Sequence, residues 1–289
     1  MAKLLDGKTI AQEIKKGLKK ECQALKNKYG RVPVLACLGA GRDMASSVYV
    51  KAQAKAASDI GIGYRPIFFN NPVSCKKYVA QIGELNKDPQ VSAVMLQAPL
   101  PSGIKISDLA DCILAAKDAE GLHPQNLGKV ALGRYEVAPC TAEACMVLLK
   151  HYKIDLYGKE VVIVGHSNVV GKPLSLMFLN AFATTTVCHI ATSRAGLLEG
   201  HINRAEILVV AVGRAHLIKG EWIKEGSVVI DVGINSLDGK IVGDVEFSSA
   251  FKKASYITPV PGGVGPLTVM MLMKNCLNLF KASMEGSLL

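Results

Sequence analysis

Val161-Val162-Ile163-Val164-Gly165-His166-Ser167-Asn168-Val169-Val170-Gly171-Lys172-Pro173 reads as a buried strand, a tight glycine turn and a helix start. Amides at a helix N-terminus bind pyrophosphate, and glycine lets a phosphate approach the backbone. The dinucleotide fingerprint is incomplete here, because Ser167 stands at its middle glycine and the spacing is stretched. Taken alone, the run is equally a plain strand-to-helix turn. After the next strand an NAD site would carry an acid for the ribose 2′-hydroxyl. Cys188-His189-Ile190-Ala191-Thr192-Ser193-Arg194 offers hydroxyls and an arginine instead. That set suits a 2′-phosphate and favours NADP over NAD; the alternative is that Arg194 only caps or solvates the following helix.

Three further segments are spelled more tightly than a loop requires: Gln97-Ala98-Pro99-Leu100-Pro101, Lys117-Asp118-Ala119-Glu120-Gly121, and Pro259-Val260-Pro261-Gly262-Gly263-Val264-Gly265-Pro266. The first and third directly follow expected strands, and open α/β sheets bind ligands beyond the carboxyl ends of their strands. Turn chemistry alone would also account for their Pro and Gly content. The eight cysteines include no C-x-x-C pair, and several lie in apolar runs such as Val34 to Leu38. They read as reduced, buried residues of an intracellular protein, and no Cys/His cluster with zinc-ligand spacing accompanies Cys140 and Cys145, so no metal site is expected.

These segments need a scaffold, and the apolar pattern supplies one. Runs at Val32–Leu38, Tyr64–Phe69 and Val91–Gln97 alternate with helical stretches near 46–60 and 74–87, a βαβαβ order that predicts a parallel sheet covered on both faces. After Lys117 the chain turns irregular through Gly121, Pro124, Gly128, Gly133 and Pro139, the best candidate boundary. A second alternation follows at Val161–Val164, Thr185–Cys188, Ile207–Val212, Val228–Val232 and Tyr256–Val260, and a last helix is expected from about Pro266 to Ala282. The fold class is therefore α/β, with two doubly wound domains of which the second is Rossmann-like. The first spans 1–138, the second 139–265, and the segment 266–289 is free to pack on either.

The 289-residue chain is long enough for two cores at 49% hydrophobic content. Its net charge is +10, and half of that excess falls in the first thirty residues, where eight lysines face three acids. Those lysines interleave with Ile10, Ile14, Leu18, Cys22 and Leu25, an i, i+4 stripe, so they form the wet face of an amphipathic helix. A nucleic-acid surface would pair arginines with stacking aromatics, and this segment has only Tyr29 and Arg31. The remaining charge suits an anionic substrate or cofactor. No apolar run reaches the roughly 18 residues of a membrane span, and Asp6 and Glu13 argue against a leader peptide, so neither a membrane nor a nucleic-acid partner is expected and the cytoplasm is the default location.

Read in order, Asp6-Gly7-Lys8, Tyr49, Gln97 to Pro101, Lys117 to Gly121, Pro139-Cys140-Thr141, Gly165 to Pro173, Asp231 to Asn235, Val242 to Val245 and Pro259 to Pro266 resemble the bifunctional methylenetetrahydrofolate dehydrogenase/cyclohydrolase family, called FolD in bacteria. The resemblance runs over essentially the whole chain. It implies folate bound in a cleft between the two domains, a homodimer formed through the nucleotide domain, and a C-terminal helix that returns to the first domain. It also implies two reactions on one-carbon derivatives of tetrahydrofolate. The first is oxidation of the 5,10-methylene compound to the methenyl cation; the second is hydrolysis of that cation to the 10-formyl compound. The products feed purine and formyl-methionine synthesis. By the same resemblance Tyr49 is the ring-stacking tyrosine and Gln97 the partner of the catalytic lysine, while Pro99, Leu100, Pro101, Pro261, Gly262, Gly263 and Val264 wall the folate site. Thr141, Gly165, His166, Ser167, Gly171, Pro173, Gly213 and Ile234 match nucleotide-contacting positions, with Arg194 beside them.

The chain departs from that family at the centre of its chemistry. The family signature is Tyr-x-x-x-Lys, one helical turn on one face, and here Tyr49 is followed four residues later by Gln53. Lys51 and Lys55 each lie two positions away, about 200° around a helix, and neither takes the vacant place. Glu120 stands where the family has the aspartate that grips the pterin, His166 where many relatives have an arginine by the NADP phosphate, and Ile190 at a position often basic. Hydride transfer needs mainly proximity and orientation, whereas hydrolysis needs a proton carrier that an amide cannot be. The expected activity is thus an NADP-dependent dehydrogenase, NAD remaining open, with Tyr49, Gln53, Gln97 and Glu120 at the reacting centre and hydrolysis impaired. The alternative is a degenerate paralogue that binds folate or dinucleotide in a regulatory role.

Overall fold

The structure, a computed structural model, describes residues 1–41 and 44–286, and in the helix that begins at Met44 the side chains from Tyr49 onward. Along the chain β1 (Lys3–Leu4) and α1 (Gly7–Tyr29) precede β2 (Val34–Ala40), α2 (Met44–Ile60), β3 (Gly63–Phe69), α3 (Cys75–Lys87) and β4 (Ala93–Leu96). Three helices, α4 (Ile106–Ala110), α5 (Pro124–Ala131) and α6 (Cys140–His151), lead to β5 (Glu160–Val164), α7 (Gly171–Asn180) and β6 (Thr184–Cys188). Then come α8 (Ile190–Arg194), α9 (Leu198–Arg204), β7 (Ile207–Val210), β8 (Val228–Asp231), β9 (Asn235–Leu237), β10 (Lys240–Val242), α10 (Phe247–Lys253), β11 (Tyr256–Ile257) and α11 (Val264–Glu285).

The chain divides into two compact units. One holds Met1–Gln12, Val130–Gly133 and Thr141–Thr268; the other holds Glu13–Lys129, Arg134–Cys140 and Val269–Leu289. The first is built on a six-stranded sheet in the order β1-β11-β8-β7-β5-β6, every neighbouring pair parallel. The second has a three-stranded parallel sheet in the order β3-β2-β4. Parallel strands need helical crossovers, which cover both faces, and the central strands are accordingly solid apolar runs: Val161–Val164, Ile207–Val210 and Leu35–Leu38 are buried throughout. Val162, Leu208, Val229 and Ile257 anchor the six-stranded core, while Leu38, Tyr78, Ile82 and Val94 anchor the three-stranded one.

Helix α1 follows its sequence pattern: Ile10, Leu18, Cys22 and Leu25 are buried, and Lys16, Lys19, Lys20 and Lys26 are exposed. Elsewhere the structure differs from the pattern. The stretch expected to be irregular contains α5, which starts on Pro124, a residue suited to a first helical turn, and is tied down where Asn126 Nδ2 donates to Ala115 O. Strand β11 is two residues long, because Thr258 turns its hydroxyl to the Asp231 amide and Pro259 follows. Two elements had no expectation. The pair Lys3–Leu4 is too short to show a period, and the β9–β10 hairpin was announced only by Asp238-Gly239, whose φ values of 49° and 73° are those of a tight hairpin turn. All eight cysteines are free, but Cys75 is exposed and Cys112 half-buried, since they flank helix ends rather than sit in strands.

Candidate active site

At the carboxyl end of β5 the backbone closes on itself. Gly165 has φ +123°, and a Cβ there would collide with Ala211 O; a Cβ on Gly171 would collide with Gly165 O. Only glycine permits this approach of turn and helix, within which Lys172 N–H donates to Ser167 O at 3.0 Å and Leu174 N–H to Val170 O at 2.9 Å, and it sets the turn at the positive N-terminal end of α7. Ser167 Oγ accepts the Val170 N–H at 3.1 Å, and Pro173 is buried in the first turn of α7. The exposed His166 ring lies 5.1 Å from that of His189, which caps α8 by accepting the Ala191 N–H on Nδ1 at 3.3 Å. This glycine-closed cradle fits a pyrophosphate, and Arg194 is an exposed cation in the last turn of α8, the helix that follows β6. Thr141 is half-buried at the start of α6.

Two buried carboxylates brace the ends of the neighbouring strands β7 and β8. Asp244 accepts the N–H groups of Val212, Gly213 and Arg214 at 2.7, 2.9 and 2.7 Å and Asn235 Nδ2 at 2.8 Å. Asp231 accepts those of Gly233, Asp244 and Val245 at 3.0, 3.0 and 2.8 Å. Burial pushes the Asp231 carboxyl up to about 7 against the pull of those bonds. On the outside of this bracing Gly213 and Ile234 are exposed, Ile234 by 48%. Also in this unit, Gly262 O accepts the Gly7 N–H at 3.0 Å; Pro261 is exposed, and Gly262, Gly263 and Val264 are buried at the start of α11.

In the three-stranded unit Gln53 and Gln97 meet through Cys37. The Cys37 thiol lies 4.0 Å from Gln53 Oε1 and 3.9 Å from Gln97 Oε1, and Tyr64 Oη donates to Gln53 Oε1 at 3.0 Å. Gln97 Nε2 donates to Ala98 O at 2.8 Å. Burial pushes the Cys37 thiol up to about 11 and raises the Tyr64 phenol further, so both stay protonated and act as donors. Gln53, only 7% exposed, therefore has its oxygen committed inward, and what it offers a neighbouring molecule is an amide N–H. Tyr49 lies one turn earlier on α2, 39% exposed, with its phenol raised by burial.

The acidic loop after β4 is held from several sides. Asp118, 3% exposed, accepts the N–H groups of His123 and Glu120 and Asn126 Nδ2, at 2.7, 3.2 and 3.0 Å. Asn275 of α11 donates to Ala119 O and Ala138 O. Lys117 points away, its Nζ pinned to Leu85 O and Asp88 O. Glu120 Oε2 accepts the Leu96 N–H at 3.0 Å, and burial, with the Asp118 charge adding, pushes its carboxyl up to about 7. Pro99 is exposed and Leu100 and Pro101 half-buried in the segment that follows Gln97. Among the described residues no group of three or more His, Cys, Asp or Glu is placed to hold a metal ion, and no helix is long and apolar enough to cross a membrane.

Residues 5–120 match the tetrahydrofolate dehydrogenase/cyclohydrolase catalytic domain, and residues 139–284 match the NAD(P)-binding domain of the same proteins. The chain belongs to the tetrahydrofolate dehydrogenase/cyclohydrolase family. It is 47% identical to the bifunctional protein FolD of Sulfurihydrogenibium sp. (strain YO3AOP1), over 96% of this chain and 97% of that one. Among solved structures it is similar to the bifunctional FolD enzyme of Campylobacter jejuni, at TM-score 0.91 and 44% identity over 97% and 99% of the two chains. The Trypanosoma brucei FolD, solved with NADP and an inhibitor, superposes at TM-score 0.92 with 36% identity over 98% of each chain.

Seen as a member of the tetrahydrofolate dehydrogenase/cyclohydrolase family, the chain keeps an α/β scaffold and two units. Sequence reasoning missed Cys37 and Tyr64, the partners of Gln53, because neither belongs to a recognisable motif; they lie on the neighbouring strands β2 and β3 but two positions apart in register, Tyr64 opposite Leu35 and Cys37 opposite Pro66. It also passed over Asp231 and Asp244 as site residues, although the pairing of Asp231 to Asn235 with Val242 to Val245 was visible as a motif.

Proposed function

We infer that this family member oxidises 5,10-methylenetetrahydrofolate to the 5,10-methenyl cation with NADP and hydrolyses that cation only slowly. The observation that carries the reading is the glycine-closed cradle at Gly165 and Gly171 in a chain of this family. Thr141, Gly165, His166, Ser167, Gly171, Pro173, Arg194, Gly213 and Ile234 would hold the dinucleotide, which supplies the hydride acceptor. Tyr49 would stack on the folate ring, Glu120 would bind its pterin, and Pro99, Leu100, Pro101, Pro261, Gly262, Gly263 and Val264 would wall its site. In the redox step one hydride leaves the methylene carbon and the ring keeps the positive charge; orientation suffices, and no side chain need exchange a proton. Hydrolysis adds water to that carbon and breaks its bond to N5; one proton of the water passes to N5 and the other is released, leaving a formyl group on N10. The Gln53 amide, its oxygen held by Tyr64, can do none of the proton work.

The catalytic role belongs in this reading to residues 1–138 with the segment 266–289, and the dinucleotide to 139–265. The active form is a cytoplasmic homodimer. The test is a pair of assays on the purified protein: NADPH formation from the methylene compound, and decay of methenyltetrahydrofolate. Measurable NADPH formation with hydrolysis near the buffer rate is expected. Binding of folate and NADP without turnover would establish the degenerate, regulatory paralogue in its place.

A further inference from the structure

Asp231 and Asp244 take no part in the chemistry, yet they are among the most completely buried charges of the six-stranded unit, at 4% and 0% exposure. Neither is in an ion pair among the described residues. An uncompensated buried carboxylate is costly, and these two are matched only by hydrogen bonds from the backbone and Asn235. Asp244 Oδ2 takes the N–H groups of Val212 and Gly213, and Oδ1 takes those of Arg214 and Asn235 Nδ2. Three successive amides converging on one carboxylate fold the loop after β7 into a nest. That inward turn of its donors leaves the other face of the loop to solvent, where Gly213 is exposed and Val212 is 37% exposed.

Asp231 closes the second layer. Its Oδ1 accepts the Asp244 N–H and its Oδ2 the Val245 N–H, and its own N–H is held by Thr258 Oγ1 at 2.7 Å. Packing leaves no space for alternatives: a Cβ on Gly243 would strike Asp231 Oδ2, and one on Gly233 would strike the Asp244 carboxylate. The braced segments leave the carboxyl ends of β7 and β8, adjacent parallel strands at the edge where such sheets take ligands.

We propose that Asp244 is a positioning residue for the dinucleotide, fixing the backbone of 212–214 and the segment that carries Ile234, and that Asp231 positions Asp244. The proposal rests on the dinucleotide reading given above. It makes a specific demand on Asp244→Asn. The amide keeps the size but turns one acceptor oxygen into a donor that must face an N–H, so the 212–214 loop has to shift.

The experiment measures dissociation constants for NADP and for 5-formyltetrahydrofolate by calorimetry, KM and kcat of the dehydrogenase reaction, and amide exchange at 212–214. For Asp244→Asn the NADP dissociation constant and KM should rise by about 10-fold or more, while kcat at saturating NADP and 5-formyltetrahydrofolate binding stay within about 2-fold. Asn235→Ala removes one of the four donors at a half-exposed residue and keeps the fold if Asp244→Asn does not. It should speed exchange of the Val212, Gly213 and Arg214 amides and weaken NADP by about 2- to 4-fold. Unchanged NADP affinity in the variants that fold, with only a lower melting temperature, would overturn the positioning role and leave the dinucleotide reading standing. Failure of the wild-type protein to bind NADP at all would overturn both.

Discussion

The two units hold their candidate sites by different means. In the six-stranded unit the cradle consists of backbone, closed by Gly165 against Gly171 and braced by amides on Asp244. In the three-stranded unit the proposed reacting centre consists of side chains, Gln53, Gln97, Tyr64 and Cys37, that touch one another through single contacts. On the function proposed above, a site of backbone would keep its function when an exposed side chain such as His166 changes, whereas a site of side chains would change its chemistry at one substitution, as proposed for Gln53.

The sharpest way to break this contrast is Gln53→Lys. A positioned acid–base is worth about 10²- to 10⁴-fold, so hydrolysis of methenyltetrahydrofolate should rise by at least about 10-fold, and further with Glu120→Asp, read as loss of the methenyl absorbance. Brisk hydrolysis by the unaltered protein, or no response to the double change, would show that position 53 does not govern the step. Next in size is Gly171→Ala, whose methyl would meet Gly165 O and force the turn open. NADP affinity should fall by roughly 10²-fold with folate binding unchanged, since a misplaced helix start loses its phosphate contacts.

Arg194→Ala probes the side-chain part of the nucleotide site. Loss of one charge-assisted phosphate contact should weaken NADP by about 10-fold and leave NAD alone; equal effects on the two dinucleotides in calorimetry would remove the 2′-phosphate assignment.

Much of this architecture was legible because it follows from composition over many residues. Apolar runs such as Val161–Val164 and the stripe from Ile10 to Leu25 have a period that packing enforces. What the sequence hid depends on contacts between distant segments. β1 exists only because Lys3 and Leu4 pair with Tyr256 and Ile257, and the Gln53 oxygen, on helix α2, is oriented by Tyr64 from strand β3. The amide at position 53, four residues after Tyr49, and its inability to carry a proton were both readable. Gly128 and Pro124 gave the segment of α5 the look of a loop, and the packing of Val130, fully buried, overrode them.

The smallest expected effect concerns Glu120. Its carboxyl is raised from the ordinary 4.5 to about 7, so between those values the folded chain keeps a proton that the unfolded chain has released. Stability from this group is therefore greatest below about 4.5, falls as pH rises to about 7 and then levels off. Glu120→Gln lacks that decline, and the difference in melting temperature between wild type and variant should change sign-consistently over this range, the variant gaining as pH rises. A constant difference would place the Glu120 proton outside the folding equilibrium.

The interleaving of the two units bears on how the protein is made. The three-stranded unit begins at Glu13 yet includes the chain from Val269 on, and Asn275 supplies the clamp on Ala119 and Ala138. The six-stranded unit begins at the first residues yet needs Tyr256 and Ile257 to receive them. A nascent chain emerging from a ribosome can therefore complete neither unit until its last quarter has been translated, so the order of synthesis gives no order of folding here. A polypeptide halted after α6 would hold all three strands of the β3-β2-β4 sheet, yet would present an unpaired β1 and an unclamped acidic loop to whatever chaperone meets it.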